Sequence, residues 1–178
     1  MNIKTVTLIS LLALLTGCSS TFKYTPDANA YRNKPMVVSA VEVELNLESA
    51  KQPAGYMTET EMADALRADI IRLLQENTAI QYDENAQDGL KTVVKMSYLR
   101  KFSYGDAIAK PVFSGSVQVD SASGRLATHY IGKSTTKYGG FTDAMVNAEV
   151  AVGKWDHEDE PRDIGVIAFI VVDALEDF

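Results

Sequence analysis

Residues 112–133 read VFSGSVQVDSASGRLATHYIGK, two alternating runs separated by Ser121-Ala122-Ser123-Gly124-Arg125. Side chains of a strand point to opposite faces in turn, so such alternation marks a half-buried strand. Gly124 suits a turn position of positive φ, and the two runs are predicted to pair as a hairpin over 112–120 and 126–133. Working back along the chain, residues 90–102 carry Thr92, Val94, Met96 and Tyr98 in alternation with Lys95, Ser97 and Lys101, which predicts a third long strand.

Further upstream, residues 37–48 alternate as well. Val37, Val41, Val43, Leu45 and Leu47 are expected on one side, with Glu42, Glu44, Asn46 and Glu48 on the other. A loop containing Pro53 and Gly55 leads to Thr58 and Glu61, whose spacing is that of a capping box. A helix is therefore predicted from there, with Met62, Leu66, Ile70, Leu73 and Leu74 on its apolar face. A short strand is expected over 80–82, followed by the polar turn DENAQDG. Downstream of the hairpin, residues 142–152 are read as a short helix with Thr142 or Asp143 as its cap and Met145, Val146, Ala148 and Val150 as its apolar set. Residues 164–175 are rich in Val and Ile, and periodicity alone does not separate a buried strand from a buried helix. Pro161 at a first helical turn, the acidic Glu158, Asp159 and Glu160 before it, and a shared face of Ile164, Ile167, Val171 and Leu175 favour the helix. The order strand, helix, four strands, helix defines an α+β domain, a mostly antiparallel sheet with helices packed on one face.

The N-terminus carries a different message. Lys4 precedes an apolar run from Val6 to Leu15, too short for a membrane span, which needs about 20 residues. It ends in Leu15-Thr16-Gly17-Cys18, and Cys18 is the sole cysteine. This stretch resembles the lipobox of bacterial lipoproteins. The resemblance implies that residues 1–17 are a cleaved signal peptide and that the Cys18 thiol receives fatty acyl chains of the palmitate kind. Ser19, where the family uses Asp to retain a protein at the inner membrane, implies an outer-membrane location facing the periplasm. Residues 18–35, rich in Ser, Thr, Asn, Asp and Pro, are read as a flexible tether, and residues 36–178 as one domain. The element order, together with ENTAIQYDENAQDGLKTVVKMSYL over 76–99 and VQVDSASGRLATHY over 117–130, resembles small periplasmic lipoproteins related to the N-terminal domain of TolB and to transporter-associated auxiliary lipoproteins. The stretch between Tyr138 and Arg162 is an insertion relative to that pattern.

Composition limits the partners. The net charge is −7, made one unit more negative by removal of Lys4, and no Lys/Arg cluster offers a surface for nucleic acid. The envelope membrane, reached through lipid on Cys18, and an envelope protein of unknown identity are the partners expected. With one cysteine there is no internal disulfide, so stability rests on the core. Neither a Gly-x-Ser-x-Gly elbow, a phosphate-binding glycine loop nor a His-Glu-x-x-His pair occurs, and no cofactor is expected. His129 is read as a partly exposed strand histidine rather than a general base. Asp156, His157, Glu158 and Glu160 form the densest set of candidate metal ligands, but adjacent residues cannot all converge, and a solvated acidic loop is the preferred reading. Tyr138, Phe141 and Trp155, beside Gly139, Gly140 and Gly153, are candidate partner contacts, with packing over the sheet edge as the alternative. The expected function is a noncatalytic binding or accessory module of the cell envelope, auxiliary to a transporter or an envelope assembly. A small-ligand or lipid carrier is the alternative, and an envelope hydrolase ranks below both.

Overall fold

The computed structural model describes residues 22–25, 28–31, 33–48, 54–102 and 107–178. The lipobox and Cys18 lie outside these residues. The architecture is α+β: one five-stranded sheet in the order β1-β5-β4-β3-β2, with helices on one face. Its strands are β1 (Lys23–Tyr24), β2 (Met36–Leu47), β3 (Leu90–Phe102), β4 (Ile108–Ser121) and β5 (Gly124–Thr135). The helices are α1 (Glu59–Glu76), α2 (Gly140–Ala151) and α3 (Glu160–Glu176).

The predicted hairpin is present as β4 and β5, closing between Ser121 and Gly124, whose φ is +127°. All sheet pairings are antiparallel except β2 with β3, which run parallel because α1 makes the crossover between them. Gly115 of β4 lies so close to β3 that an added Cβ would collide with the Lys95 carbonyl and the Met96 sulfur.

α1 opens with the predicted capping box: Thr58 accepts from the Glu61 amide, and the Glu61 carboxylate accepts from the Thr58 amide at 2.7 Å. Met62, Leu66, Ile70 and Leu74 are fully buried beneath it, against α3 and β2, while Leu73 is half-buried. The last apolar segment is the helix α3, with Ile164, Ile167, Val171 and Leu175 buried and Pro161 in its first turn. These helices and Val94, Val117 and Val119 of the sheet fill the interlayer space as one apolar core.

Five sequence expectations need correction. Val37 does not share the face of Val41. The register shifts between Val38 and Ala40, so Met36 and Val38 point inward before the irregularity and Val43 after it. Residues 80–82 form only a single parallel bridge, Met36 with Tyr82, too short to build a ladder. The cap of α2 is Gly139, at φ +75°, rather than Thr142 or Asp143; of its expected apolar set only Val146 is fully buried, while Met145 is 50% exposed. The tether reading of 18–35 fails from Phe22 onward. Phe22 is 4% exposed, its ring 5.2 Å from His129 and 5.9 Å from Phe178, β1 pairs with Thr128 and Ala127, and the Tyr24 hydroxyl donates to the Asp177 carbonyl. The same ring covers His129, which is buried rather than partly exposed.

Candidate functional site

The stretch from Tyr138 to Asp163 closes one end of the sheet, and its side chains divide sharply between inside and outside. Trp155 is fully buried, with Tyr56, Ile108 and Val146 in a second small core, separate from the main one. Its indole N–H donates to Asp163 at 3.2 Å. The other oxygen of Asp163 accepts from Thr136 Oγ1 at 2.5 Å and from the Tyr138 hydroxyl at 2.6 Å. A buried carboxylate needs such donors, because leaving water unpaired costs several kcal/mol. Burial pushes the Asp163 carboxyl above its ordinary range, and the three donors oppose that shift. The same burial, with Asp163 alongside, raises the Tyr138 phenol.

Glu160 enters from the start of α3. It meets Arg100 of β3 in a two-pronged ion pair, Nε to Oε1 at 2.7 Å and Nη2 to Oε2 at 3.0 Å, with side-chain exposures of 0% and 1%. Glu160 also accepts from the Met57 amide, and Arg100 donates to the Met57 carbonyl, so both backbone groups of Met57, just ahead of the α1 cap, are bound to this pair. Desolvation lifts the Glu160 carboxyl, and the guanidinium opposes it. Arg100 Nη1 and the Tyr98 hydroxyl, both buried, have no partner among the described residues. Over the outside, the Arg162 guanidinium lies 4.6 Å from the Trp155 ring.

The candidate metal set is not brought together. Glu160 turns inward to Arg100, Asp156 accepts from the Glu158 amide, and His157 packs its half-exposed ring against Tyr56. Among the described residues no three His, Cys, Asp or Glu side chains are grouped to hold a metal ion. The candidate contact set is also divided. Trp155 is core, and Tyr138 is part-buried and tied to Asp163. Phe141 stands 80% exposed on α2. Sequence reading missed Asp163, Arg100, Thr136 and Tyr98. A signal existed for Arg100, because the alternation of 90–98 carried two residues further places it on the inward face.

The sheet face away from the helices is open. Glu42, Lys95, Ser97, Ser116 and Tyr130 line a broad concavity of about 760 Å³, crossed by the Lys95–Glu42 ion pair at 2.9 Å. Tyr130 is 64% exposed, and Lys23 Nζ lies 5.4 Å from its ring centre.

No known protein family and no curated protein matches the chain. Among solved structures, a crystal structure of an uncharacterized protein aligns over 74% of this chain and 86% of its own, at 13% identity and a TM-score of 0.26. A likeness at that level carries no inference.

Proposed function

We propose that this chain is a lipid-anchored protein of the bacterial cell envelope whose α+β domain serves as a noncatalytic binding or accessory module on the periplasmic side. The observation that carries the module reading is the disposition of the densest titratable cluster. Glu160 and Asp163, the two carboxylates with raised proton affinity, are saturated by Arg100, Met57, Thr136, Tyr138 and Trp155, so they act as scaffold. A general acid or base needs reach to a substrate proton, which these contacts occupy. The surface left to recognise something is the open sheet face, where an aromatic ring, a cation and hydroxyls converge at Tyr130, Lys95, Ser97 and Ser116. Lipid on Cys18 supplies the location. The carrier reading requires an interlayer cavity, and that space is occupied by Met62, Leu66 and Ile70 against the sheet.

Two measurements test this. Intact mass of the protein from cell membranes is expected to show residues 1–17 removed and acyl chains on Cys18; an unmodified thiol or a retained N-terminus overturns the anchor. A photo-crosslinking residue replacing Tyr130 is expected to capture one reproducible envelope protein, with the same residue replacing Glu76 on the opposite layer as control. Equal yields at both positions, or none at Tyr130, overturn the sheet-face reading.

A further inference from the structure

We propose that α2 is a second membrane contact, its exposed apolar stripe lying in the headgroup region of the bilayer that holds the Cys18 lipid. This inference rests on the lipid-anchor reading above.

Phe141, Met145, Ala148 and Val152 recur at spacings of four, three and four, which places them on one side of a helix of 3.6 residues per turn. All four are exposed, Phe141 at 80%, Val152 at 68% and Met145 at 50%. The opposite side of α2 is occupied: Val146 enters the small core, and Asp143 pairs with Lys110 at 2.6 Å and accepts from the Tyr138 amide. The stripe therefore carries no charge of its own, and exposed Lys137 and Lys154 bracket the helix. An uncharged stripe, with a lysine beyond each end of the helix and the half-buried Glu149 beside it, suits the bilayer interface, where such helices sink about 5–10 Å into the headgroup boundary.

Connectivity brings this helix to the membrane. β1 runs antiparallel to β5, so its N-terminal end, from which the chain leads back to Cys18, faces the Thr135 end of β5, where α2 follows. Cys18 is four residues ahead of Phe22, so its sulfur cannot lie more than roughly 14–18 Å from that anchored ring. The stretch of β5 from His129, beneath Phe22, to Thr135 spans about 20 Å. A link of that length from Phe22, and about 20 Å of strand from there to Thr135, leave the lipid on Cys18 and the stripe within reach of one bilayer surface. The acidic balance of the chain selects zwitterionic headgroups as the surface that the stripe enters without opposition.

Phe141→Trp provides the probe, because Trp155 is fully buried and supplies a constant background. Protein purified from membranes is reconstituted in phosphatidylcholine vesicles with and without bromine at shallow acyl positions. The introduced indole is expected to emit at shorter wavelength on vesicles and to lose about half its intensity to bromine at interfacial depth, with Val152→Ser and Met145→Ser abolishing both changes. A parallel sample of residues 18–178, coupled through its sole thiol to a maleimide phospholipid, reproduces the anchor whether or not the cell builds it. Failure of the anchor reading then shows in the mass of the cell-derived protein, and failure of the stripe in the coupled sample. An indole that stays solvent-like and unquenched while the protein remains on vesicles overturns the proposal. So does shielding that arises without vesicles from a second copy of the chain, read by sedimentation, or only on adding an envelope protein.

Discussion

The two ends of the interlayer space are held by opposite means. Beneath α1 and α3 the contacts are Leu, Ile, Val and Met, whose attraction is without direction. At the Arg100 end the contacts are an ion pair and a carboxylate with three donors, each of which requires a particular partner. The apolar end resists unfolding through area removed from water. The polar end adds little net stability, since burying two charges costs about what their attraction returns, but its directional contacts tie Met57, Thr136, Tyr138 and Trp155 to the start of α3. Binding energy in one region and geometry in the other are thus divided along the same sheet.

The contrast can be broken most severely at the ion pair. Glu160→Leu strands a buried guanidinium and is expected to lower unfolding free energy by about 3–5 kcal/mol in urea melts, whereas adding Arg100→Met recovers most of the loss. Absence of recovery would mean that the pair does more than satisfy itself. In the apolar region, Leu66→Ala is expected to cost about 2–5 kcal/mol, with no single partner change that reverses it.

These two sites also show what the sequence made legible. Leu66 follows from helical spacing alone, and α1, β3 and the β4–β5 hairpin follow from period and caps. The inward turn of Glu160 does not, because it depends on Arg100, sixty residues earlier. Phe22 sits in a Ser- and Thr-rich stretch whose local composition reads as linker, and its burial is decided by His129 and Phe178 far along the chain. The irregularity near Ser39 inverts the inward parity of β2 with no local mark. In the acidic loop His157 and Glu158 are exposed while Glu160 is buried, and Asp163, beside Arg162 at the edge of the apolar segment 164–175, has no local pattern that marks it as inward.

A smaller perturbation separates geometry from stability. Asp163→Asn keeps the shape but weakens the acceptor, at an expected cost of about 1–3 kcal/mol, and Trp155 fluorescence should shift red before the far-ultraviolet circular dichroism changes. Its pH dependence has a definite sign. The folded carboxyl holds its proton to higher pH than the unfolded one, so its contribution to stability is largest below the unfolded value and declines as pH rises through the folded one. The stability of the natural chain relative to Asp163→Asn is therefore expected to fall from acid toward neutral pH; a rise would contradict the burial assignment. The smallest effect belongs to the cap of α1, where Thr58→Ala is expected to cost about 1 kcal/mol and to leave the Trp155 emission unaltered.

Gly115 sets a limit on how this sequence can vary. Where its strand presses on Lys95 and Met96, even one methyl group would act as a wedge between the two central strands. Ser114 and Ser116 on either side carry side chains into the open face, whereas at position 115 the neighbouring strand leaves room for a hydrogen alone.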